Sequence, residues 1–433
     1  VRTRSGVARR LPPHLARAGF LESRSIAQTT ERNNHMSPSG LIDNQQDWER
    51  VAAKLTPESV LALDTESNSL HCYQERVCLI QIATGEETFL LDPLAVSDLS
   101  ALGSLLSNPS ITKVAHGSDY DVRCLNRDYG FTMSSLFDTE LAARFLGIPK
   151  TNLASVLEGF LGVDIPKSRA LQTSDWSHRP LSQPALEYAA GDVTYLPKLA
   201  KNLQGRLETA RRLDWVMEEC QRLEQVRPAP PSPPEVMMLR IKGSSRLAPR
   251  DLAVLRELFL FREDEARRMD CPPFRVITNE AIIILSAAPG LELHKVRGLP
   301  GGIARRSGNL IREAIYRGMN GPEMLRPPRT NNNPWTPEAQ ARLRSLKAWR
   351  VRQGDSLELD PALLWPAVSL ERLALGWNGS ADESPDEGAQ EVRDWQRREF
   401  SQDIRQALVQ AFEGNDSGQV RNPASLSAEA GDS

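Results

Sequence analysis

Proline divides this chain of 433 residues into two parts of different character. The segment RPAPPSPP spans residues 227–234 and contains five prolines. Because proline lacks a backbone donor and clashes inside a helix, we predict a stiff, extended linker over residues 225–235. The length also exceeds the roughly 250 to 300 residues at which single cores stop growing, so two or three domains are expected.

Before the linker, short apolar runs alternate with stretches of helical spacing. The runs predict strands at residues 60–66, 77–83, 88–91 and 112–115, and a short strand near Leu136. The spacing predicts helices at residues 99–106, 121–128, 139–146, 153–161 and 183–203. The first three strands have short connections and should form an antiparallel meander, while the later strands alternate with helices. This part is therefore predicted to be a mixed sheet covered by helices.

After the linker, helical periodicity dominates and is interrupted by a second loop at residues 321–334. Helices are predicted at residues 250–268, 279–287, 307–317, 338–354, 361–364, 369–375 and 392–412. The two helical blocks share an order of long, short, intermediate and long helices, which indicates an internal duplication. Residues 1–38, rich in arginine, and residues 416–433, rich in small polar residues, are predicted to be disordered.

Charge and cysteine content limit the possible functions. The five cysteines are scattered without a C-x-x-C pair, so neither a disulfide framework nor a zinc site is indicated, and a reducing compartment, the cytoplasm, is expected. No apolar run approaches the roughly 20 residues that a membrane span needs. The net charge is -3, so nucleic acid would have to be bound by local basic patches or metal ions.

Carboxylates follow the first long strand in the segment VLALDTES, residues 60–67. Asp64 and Glu66 are two apart and point to the same side of a strand, where their like charges repel unless a cation is present. Asp121 lies where a strand leads into a helix, and Tyr188 and Asp192 are four apart on one helix face. Oxygen ligands suit Mg²⁺, and two such ions can stabilise both oxygens of a phosphoryl displacement.

Each of these signals also has a simpler interpretation. A strand-end acid pair is commonly a solvated loop edge, and His116 fits a hydrogen-bonded residue at a strand–helix junction better than a catalyst. Asp119 competes with Asp121 as a ligand, and Asp138 is expected to cap the helix that follows it. Only the ordered combination of the acids favours a metal site.

Four segments together resemble the tyrosine subclass of the DEDD exonuclease superfamily, and most closely the ribonuclease D family. They are VLALDTES, KVAHGSDYDVRCL, LFDTELAARFL and SDWSHRPLSQPALEYAAGDVTYL, and the resemblance covers about residues 40–215. It implies an α/β ribonuclease H-like exonuclease domain at residues 39–224. It also implies that Asp64, Glu66, Asp121 and Asp192 bind two divalent ions, Mg²⁺ or Mn²⁺, and that Tyr188 positions the attacking water.

The same resemblance extends to the helical blocks. Residues 236–320 resemble an HRDC domain, a nucleic-acid-binding module, and residues 335–415 resemble a second, more divergent copy. The basic residues of the first block are candidates for phosphate contacts, although arginines on amphipathic helices usually form a solvated face. These candidates are Arg240, Lys242, Arg246, Arg250, Arg297, Arg305 and Arg306.

The expected function is therefore that of a 3′–5′ exoribonuclease that releases nucleoside 5′-monophosphates. The resemblance implies structured RNA substrates, notably transfer RNA precursors with a single-stranded 3′ end, and no small-molecule cofactor or membrane partner. A DNA exonuclease remains an alternative, because the same acids serve both polymers. A non-catalytic nucleic-acid-binding scaffold is a second alternative, because a fold does not determine a function.

Overall fold

A computed structural model describes residues 40–230, 232–327, 334–377 and 389–416. The disorder predicted for residues 1–38, and for the tail beyond residue 416, lies outside the described residues. The first part of the chain forms a six-stranded mixed sheet. Its strands are Leu41–Ile42 (β1), Val60–Ser67 (β2), Val77–Ala83 (β3), Thr88–Leu91 (β4), Thr112–Ala115 (β5) and Leu136–Asp138 (β6).

The sheet has the strand order β1-β4-β3-β2-β5-β6. Strands β2, β3 and β4 pair in antiparallel fashion, which confirms the predicted meander, and β5 and β6 add in parallel. Every residue of β3 is buried, in keeping with its continuous apolar run. Strand β2 lies between β3 and β5, so its carboxyl end is placed at the middle of the sheet edge.

Helices cover this sheet and pack against one another. They are Gln45–Leu55 (α1), Ser100–Ser107 (α2), Asp119–Tyr129 (α3), Thr139–Phe145 (α4), Leu153–Leu161 (α5), Arg169–Gln172 (α6), Gln183–Thr194 (α7), Leu196–Thr209 (α8) and Leu213–Glu224 (α9). The prediction of one helix over residues 183–203 is wrong, because the chain starts a new helix at Leu196. Pro197 explains the break, since proline is tolerated in the first turn of a helix but not in its interior.

The first helical block has its own hydrophobic core. Its helices are Pro234–Leu239 (α10), Pro249–Arg268 (α11), Pro273–Val276 (α12), Asn279–Ala287 (α13), Gly301–Arg306 (α14) and Gly308–Asn320 (α15). Helices α11 and α15 form the centre of the block. They approach closely at Gly318, where a Cβ atom would lie 2.4 Å from the Cα atom of Val254. Only glycine fits this crossing without moving the backbone.

The second helical block consists of four described helices. They are Pro337–Leu357 (α16), Pro361–Leu364 (α17), Ala367–Gly376 (α18) and Asp394–Asp416 (α19). The order of long, short, intermediate and long helices agrees with the predicted pattern, and the duplication stays a prediction. Among the described residues, no helix combines the length and the apolar character needed to cross a membrane.

The second block shares one core with the sheet part of the chain, which the sequence did not indicate. Trp395 of α19 stacks on Trp215 of α9, with ring centroids 4.5 Å apart, and meets Phe145 of α4 edge-on at 5.5 Å. The carboxylate of Glu218 accepts hydrogen bonds from the first two backbone N–H groups of α19, at 2.6 and 2.9 Å. We call this shared core the aromatic joint, and it makes the second block part of the nuclease body.

Candidate active site

Strand β2 carries the first two candidate ligands at its carboxyl end. Asp64 and Glu66 are both partly buried there, and the register with β3 shifts after Glu66, as at a β-bulge. Such a bulge changes the direction of the side chains that follow it. Between the two acids, Thr65 donates its hydroxyl to Asp121 Oδ1 at 2.5 Å. This bond ties the first turn of α3 to β2 and brings Asp121 to the strand end.

The loop before α3 is held by the cap of the next helix. Asp138 accepts hydrogen bonds from the backbone N–H groups of Glu140 and Leu141, which confirms that it caps α4. Its carboxylate also accepts bonds from the backbone of Gly117, at 3.1 Å, and from the backbone and hydroxyl of Ser118, at 2.7 and 2.8 Å. One carboxylate thus fixes both the loop and the helix that position Asp121.

The two neighbouring groups considered as alternatives have other partners. His116 Nδ1 lies 2.9 Å from the hydroxyl of Thr139, as expected for a hydrogen-bonded junction residue. Burial lowers the pKa of His116, so the ring stays neutral near pH 7. Asp119 is exposed and receives two hydrogen bonds from Arg123, at 2.8 and 3.0 Å. These contacts favour Asp121 over Asp119 as a ligand.

Helix α7 brings Tyr188 and Asp192 to the same place, since it packs against β2, β3 and β4. Tyr188 forms side-chain hydrogen bonds with Asp192 and with Gln172. Its ring lies against Trp176, with centroids 6.4 Å apart. The hydroxyl and the carboxylate are therefore held together by the i, i+4 spacing that the sequence showed.

The segment before α7 is attached to the sheet by Arg179, from the phrase WSHRPL. Its guanidinium donates to both oxygens of Asp92, at 2.6 and 2.8 Å, and to the carbonyl oxygen of Cys78 at 2.7 Å. Asp92 is buried at the end of β4, and Cys78 begins the most buried strand. This two-bond ion pair gives the arginine in that phrase a structural role, which the sequence alone did not disclose.

The four carboxyl groups influence one another electrostatically. Burial and the charge of Asp192 raise the pKa of Asp64 to about 7, and burial raises the pKa of Asp192 to about 7. Burial and the charges of the other three acids raise the pKa of Glu66 to about 9. Burial and the charge of Asp64 also raise the pKa of Asp121 well above its ordinary value. Near neutral pH this set retains protons unless a cation replaces them.

The donor set fits hard divalent cations by charge and by chemistry, because carboxylate oxygens are the ligands that such ions prefer. In the described ranges, no three His, Cys, Asp or Glu side chains are already arranged to hold a metal ion. Gln81, directly opposite Asp64 in the sheet register, is fully buried. Its amide has no hydrogen-bond partner among the described residues, so it can donate to a carboxylate that turns toward it.

Tyr188 cannot serve as a base near neutral pH. Burial, together with the charge of Asp192, raises the pKa of its phenol above the ordinary value of 10. The hydroxyl therefore keeps its proton and acts as a hydrogen-bond donor. This is the orienting role that the sequence analysis favoured over proton abstraction.

A cavity of about 340 Å³ opens beside Glu66. The end of β2, the loop that follows it, Tyr120 and residues 172–174 line this cavity. Leu70 and Tyr120 are each 43% exposed, so they offer it apolar surface. The hydroxyl of Tyr120 donates to Glu75 at 2.7 Å. Sequence reasoning missed these residues, because their positions depend on loop geometry and not on periodicity.

A larger cavity, about 830 Å³, lies between α9 and the start of α19. Its described lining includes Asp119 but none of the four clustered carboxyl groups. Size alone therefore does not mark the reactive place, and the smaller cavity beside Glu66 is the better candidate for substrate.

The basic candidates of the first block differ in their surroundings. Arg250 donates to the carbonyl oxygen of Gly318 at 3.2 Å and to that of Gly321, so it joins the start of α11 to the end of α15. Arg306 lies 3.2 Å from the sulfur of Met269. The remaining candidates are exposed: Arg240, Lys242, Arg246, Arg297 and Arg305. They lie outside the carboxyl cluster, on the surface of the block.

Comparisons with known proteins agree with this architecture. A family model described as a 3′–5′ exonuclease matches residues 40–208, and an HRDC domain model matches residues 251–315. The chain is 31% identical to ribonuclease D of Gluconacetobacter diazotrophicus over 342 residues, or 77% of this chain and 86% of that protein. It is 31% identical to ribonuclease D of Granulibacter bethesdensis over 383 residues, or 86% of this chain and 93% of that protein.

The fold is also similar to a solved structure. The crystal structure of Escherichia coli RNase D, described as an exoribonuclease involved in structured RNA processing, matches with a TM-score of 0.63 and 24% sequence identity. The match covers 86% of this chain and 98% of that chain. It supports an α/β nuclease body followed by helical blocks.

Proposed function

The chain belongs to the ribonuclease D family of 3′–5′ exoribonucleases, and from this premise we propose that its clustered carboxylates bind two divalent metal ions for phosphodiester hydrolysis. The observation that carries the proposal is the electrostatic coupling of the four acids. Their raised pKa values mean that positive charge is missing from the site. Asp64, Glu66, Asp121 and Asp192 would hold the ions, Mg²⁺ or Mn²⁺.

When bound, such ions supply positive charge to the attacking and the leaving oxygen of the phosphodiester. The residues around them set the geometry. Thr65 fixes one oxygen of Asp121, and Tyr188 donates a hydrogen bond that fixes the carboxylate of Asp192. Because the phenol stays protonated, Tyr188 orients the attacking water by hydrogen bonding. Release of a nucleoside 5′-monophosphate follows from attack at the last phosphodiester of the chain.

The 3′-terminal nucleotide would occupy the cavity beside Glu66, where Leu70 and Tyr120 offer apolar surface to a base. A cavity of this size admits a single-stranded end and not a duplex. The exposed arginines of the first block, such as Arg246 and Arg305, would contact phosphates of the folded part of the substrate. Structured RNAs, notably transfer RNA precursors, are the proposed substrates.

Compartment and domain division are also part of the proposal. All five cysteines are free and buried, which suits the reducing cytoplasm. We place the nuclease domain at residues 39–224, the first HRDC-like domain at 236–320 and the divergent second copy at 335–415. The proline-rich linker and residues 321–334 separate them.

The test is the shortening of a 5′-labelled RNA with an overhanging 3′ end, in Mg²⁺ or in EDTA. We compare the native chain with Asp64→Asn, which removes one charge without changing shape, and with Asp119→Asn as a matched control. We expect stepwise shortening that requires metal, is lost in folded Asp64→Asn and persists in Asp119→Asn. A native chain that binds the RNA but leaves it intact in both Mg²⁺ and Mn²⁺ would overturn the proposal. A matched DNA strand measures the sugar preference.

A further inference from the structure

The loop after β2, residues 68–76, lines the cavity beside Glu66 and also contacts the first helical block. At its base, the buried Asn68 accepts a hydrogen bond from the backbone N–H of Arg76 at 2.9 Å. The carbonyl oxygen of Asn68 accepts another from the backbone N–H of His71, also at 2.9 Å. These bonds close the base of the loop. Its tip, at His71 and Tyr73, is held by residues of the other block.

Tyr73 anchors the loop on the end of α11. Its backbone N–H donates to Asp270 Oδ1 at 3.1 Å, and its hydroxyl donates to Glu263 Oε2 at 3.4 Å. The guanidinium of Arg267 lies over the ring, 5.1 Å from its centroid, and donates to the hydroxyl at 3.1 Å. Asp270 has a φ of 43°, a left-handed conformation uncommon for residues other than glycine. The backbone of α11 therefore turns where it can receive the loop.

A second link runs from the first block through His71 to the segment before α7. Arg275 Nη2 lies 3.2 Å from His71 Nδ1, and His71 Nε2 lies 2.9 Å from the carbonyl oxygen of Thr173. A guanidinium can only donate, so Nδ1 accepts, and the proton on Nε2 is donated to Thr173. The imidazole is thus a bridge of defined tautomer between two parts of the chain.

The segment that His71 holds also contacts the reactive tyrosine. Gln172, next to Thr173, forms a side-chain hydrogen bond with Tyr188. Gln172 and Ser174 line the cavity together with His71. A shift of Thr173 would therefore move both the cavity wall and a hydrogen-bond partner of Tyr188.

We propose that the first helical block shapes the cavity that receives the RNA 3′ end, with Arg275 as a positioning residue that acts through His71 and Tyr73 as the anchor of the loop. This inference rests on the exonuclease function proposed above. It adds a role that differs from phosphate binding, because a positioning residue affects every substrate. Even an RNA too short to reach the arginines of the block depends on the cavity.

Steady-state kinetics of Arg275→Ala test the proposal on two substrates, a long RNA and the shortest RNA that the native chain degrades in a length series. We expect KM for the shortest RNA to rise about threefold to tenfold, the scale of one exposed hydrogen bond. Arg275→Lys should recover part of the loss, because an ammonium can still donate to His71. Tyr73→Ala should cause a larger rise. Lys295→Ala, which removes an exposed lysine paired with Glu292 on the same block, should change neither substrate.

Hydrogen exchange provides a readout that is independent of activity. Amides of residues 68–76 should exchange faster in Arg275→Ala and Tyr73→Ala than in the native chain, and at the native rate in Lys295→Ala. If Arg275→Ala weakens only the long RNA and reduces its salt dependence, Arg275 contacts phosphate and the inference is wrong. Unchanged KM together with unchanged exchange also overturns it. A native chain that degrades no RNA of any length would refute the proposed function instead.

Discussion

Replacing Trp395 by alanine should destabilise the sheet part and the second helical block together. Trp395 is fully buried, stacks on Trp215 and donates from Nε1 to Glu219 Oε1 at 3.1 Å. Removing a buried tryptophan typically costs about 3 to 5 kcal/mol, and each lost aromatic pair about 0.5 to 1.5 kcal/mol more. The edge-on contact with Phe145 is lost as well. We therefore expect a loss of about 5 kcal/mol in the free energy of unfolding.

The distribution of tryptophan makes the assay selective. All eight tryptophans lie outside residues 236–320, so their fluorescence reports on the nuclease body and the second block. Far-ultraviolet circular dichroism reports on every helix, including those of the first block. In urea, the fluorescence transition of Trp395→Ala should move to lower denaturant as one step.

A matched variant in the other core is Leu258→Ala, a fully buried residue of α11. It should lower the circular dichroism transition of the first block and leave the fluorescence transition nearly unchanged. If Trp395→Ala costs less than about 1 kcal/mol, below the range for buried tryptophans, or shifts only a minor helical transition, the aromatic joint is not a shared core and our account of the fold is refuted.

Three further predictions concern the helix crossing, the acids and the tyrosine. Gly318→Ala places a Cβ atom 2.4 Å from the backbone of Val254 and should destabilise the first block by about 1 to 3 kcal/mol in circular dichroism, while tryptophan fluorescence stays native. The raised folded-state pKa values mean that metal-free stability is greatest at low pH and is lost as pH rises through about 7 to 9, so melting temperature in EDTA should fall over that range and Mg²⁺ should restore it; equal slopes with and without Mg²⁺ would contradict this. Asp64→Asn should flatten the EDTA profile. Tyr188→Phe should lower kcat about tenfold to a thousandfold with little change in KM, whereas loss of KM alone would mean a binding role.

Local signals in the sequence were sufficient for most of the sheet. Strands Val77–Ala83, Thr88–Leu91 and Thr112–Ala115 have the predicted bounds, because each is an apolar run that ends at turn residues. Apolar spacing that continues past Pro197 led to one predicted helix where there are two. Strand β1 was missed because two residues carry no periodicity.

Contacts between distant parts of the chain could not be predicted in this way. Trp215 and Trp395 are 180 residues apart, and nothing in either helix pattern indicates that their rings stack. The pair of Arg275 and His71 likewise depends on how a loop meets a helix end. The carboxylates were easier to find, because the position of Asp64 at a strand end has a chemical consequence that sequence alone shows. Their mutual influence on pKa required the structure.

The most direct test of the central claim is a calorimetric titration of Mn²⁺ into the native chain in two buffers that differ in ionisation enthalpy. We predict two Mn²⁺ ions per chain and release of protons on binding, because the acids of the cluster retain protons near neutral pH without metal. Asp64→Asn should lose at least one ion, and Asp119→Asn should bind like the native chain. A folded native chain that binds no Mn²⁺, or that binds it without proton release and equally well in Asp64→Asn, would contradict the account.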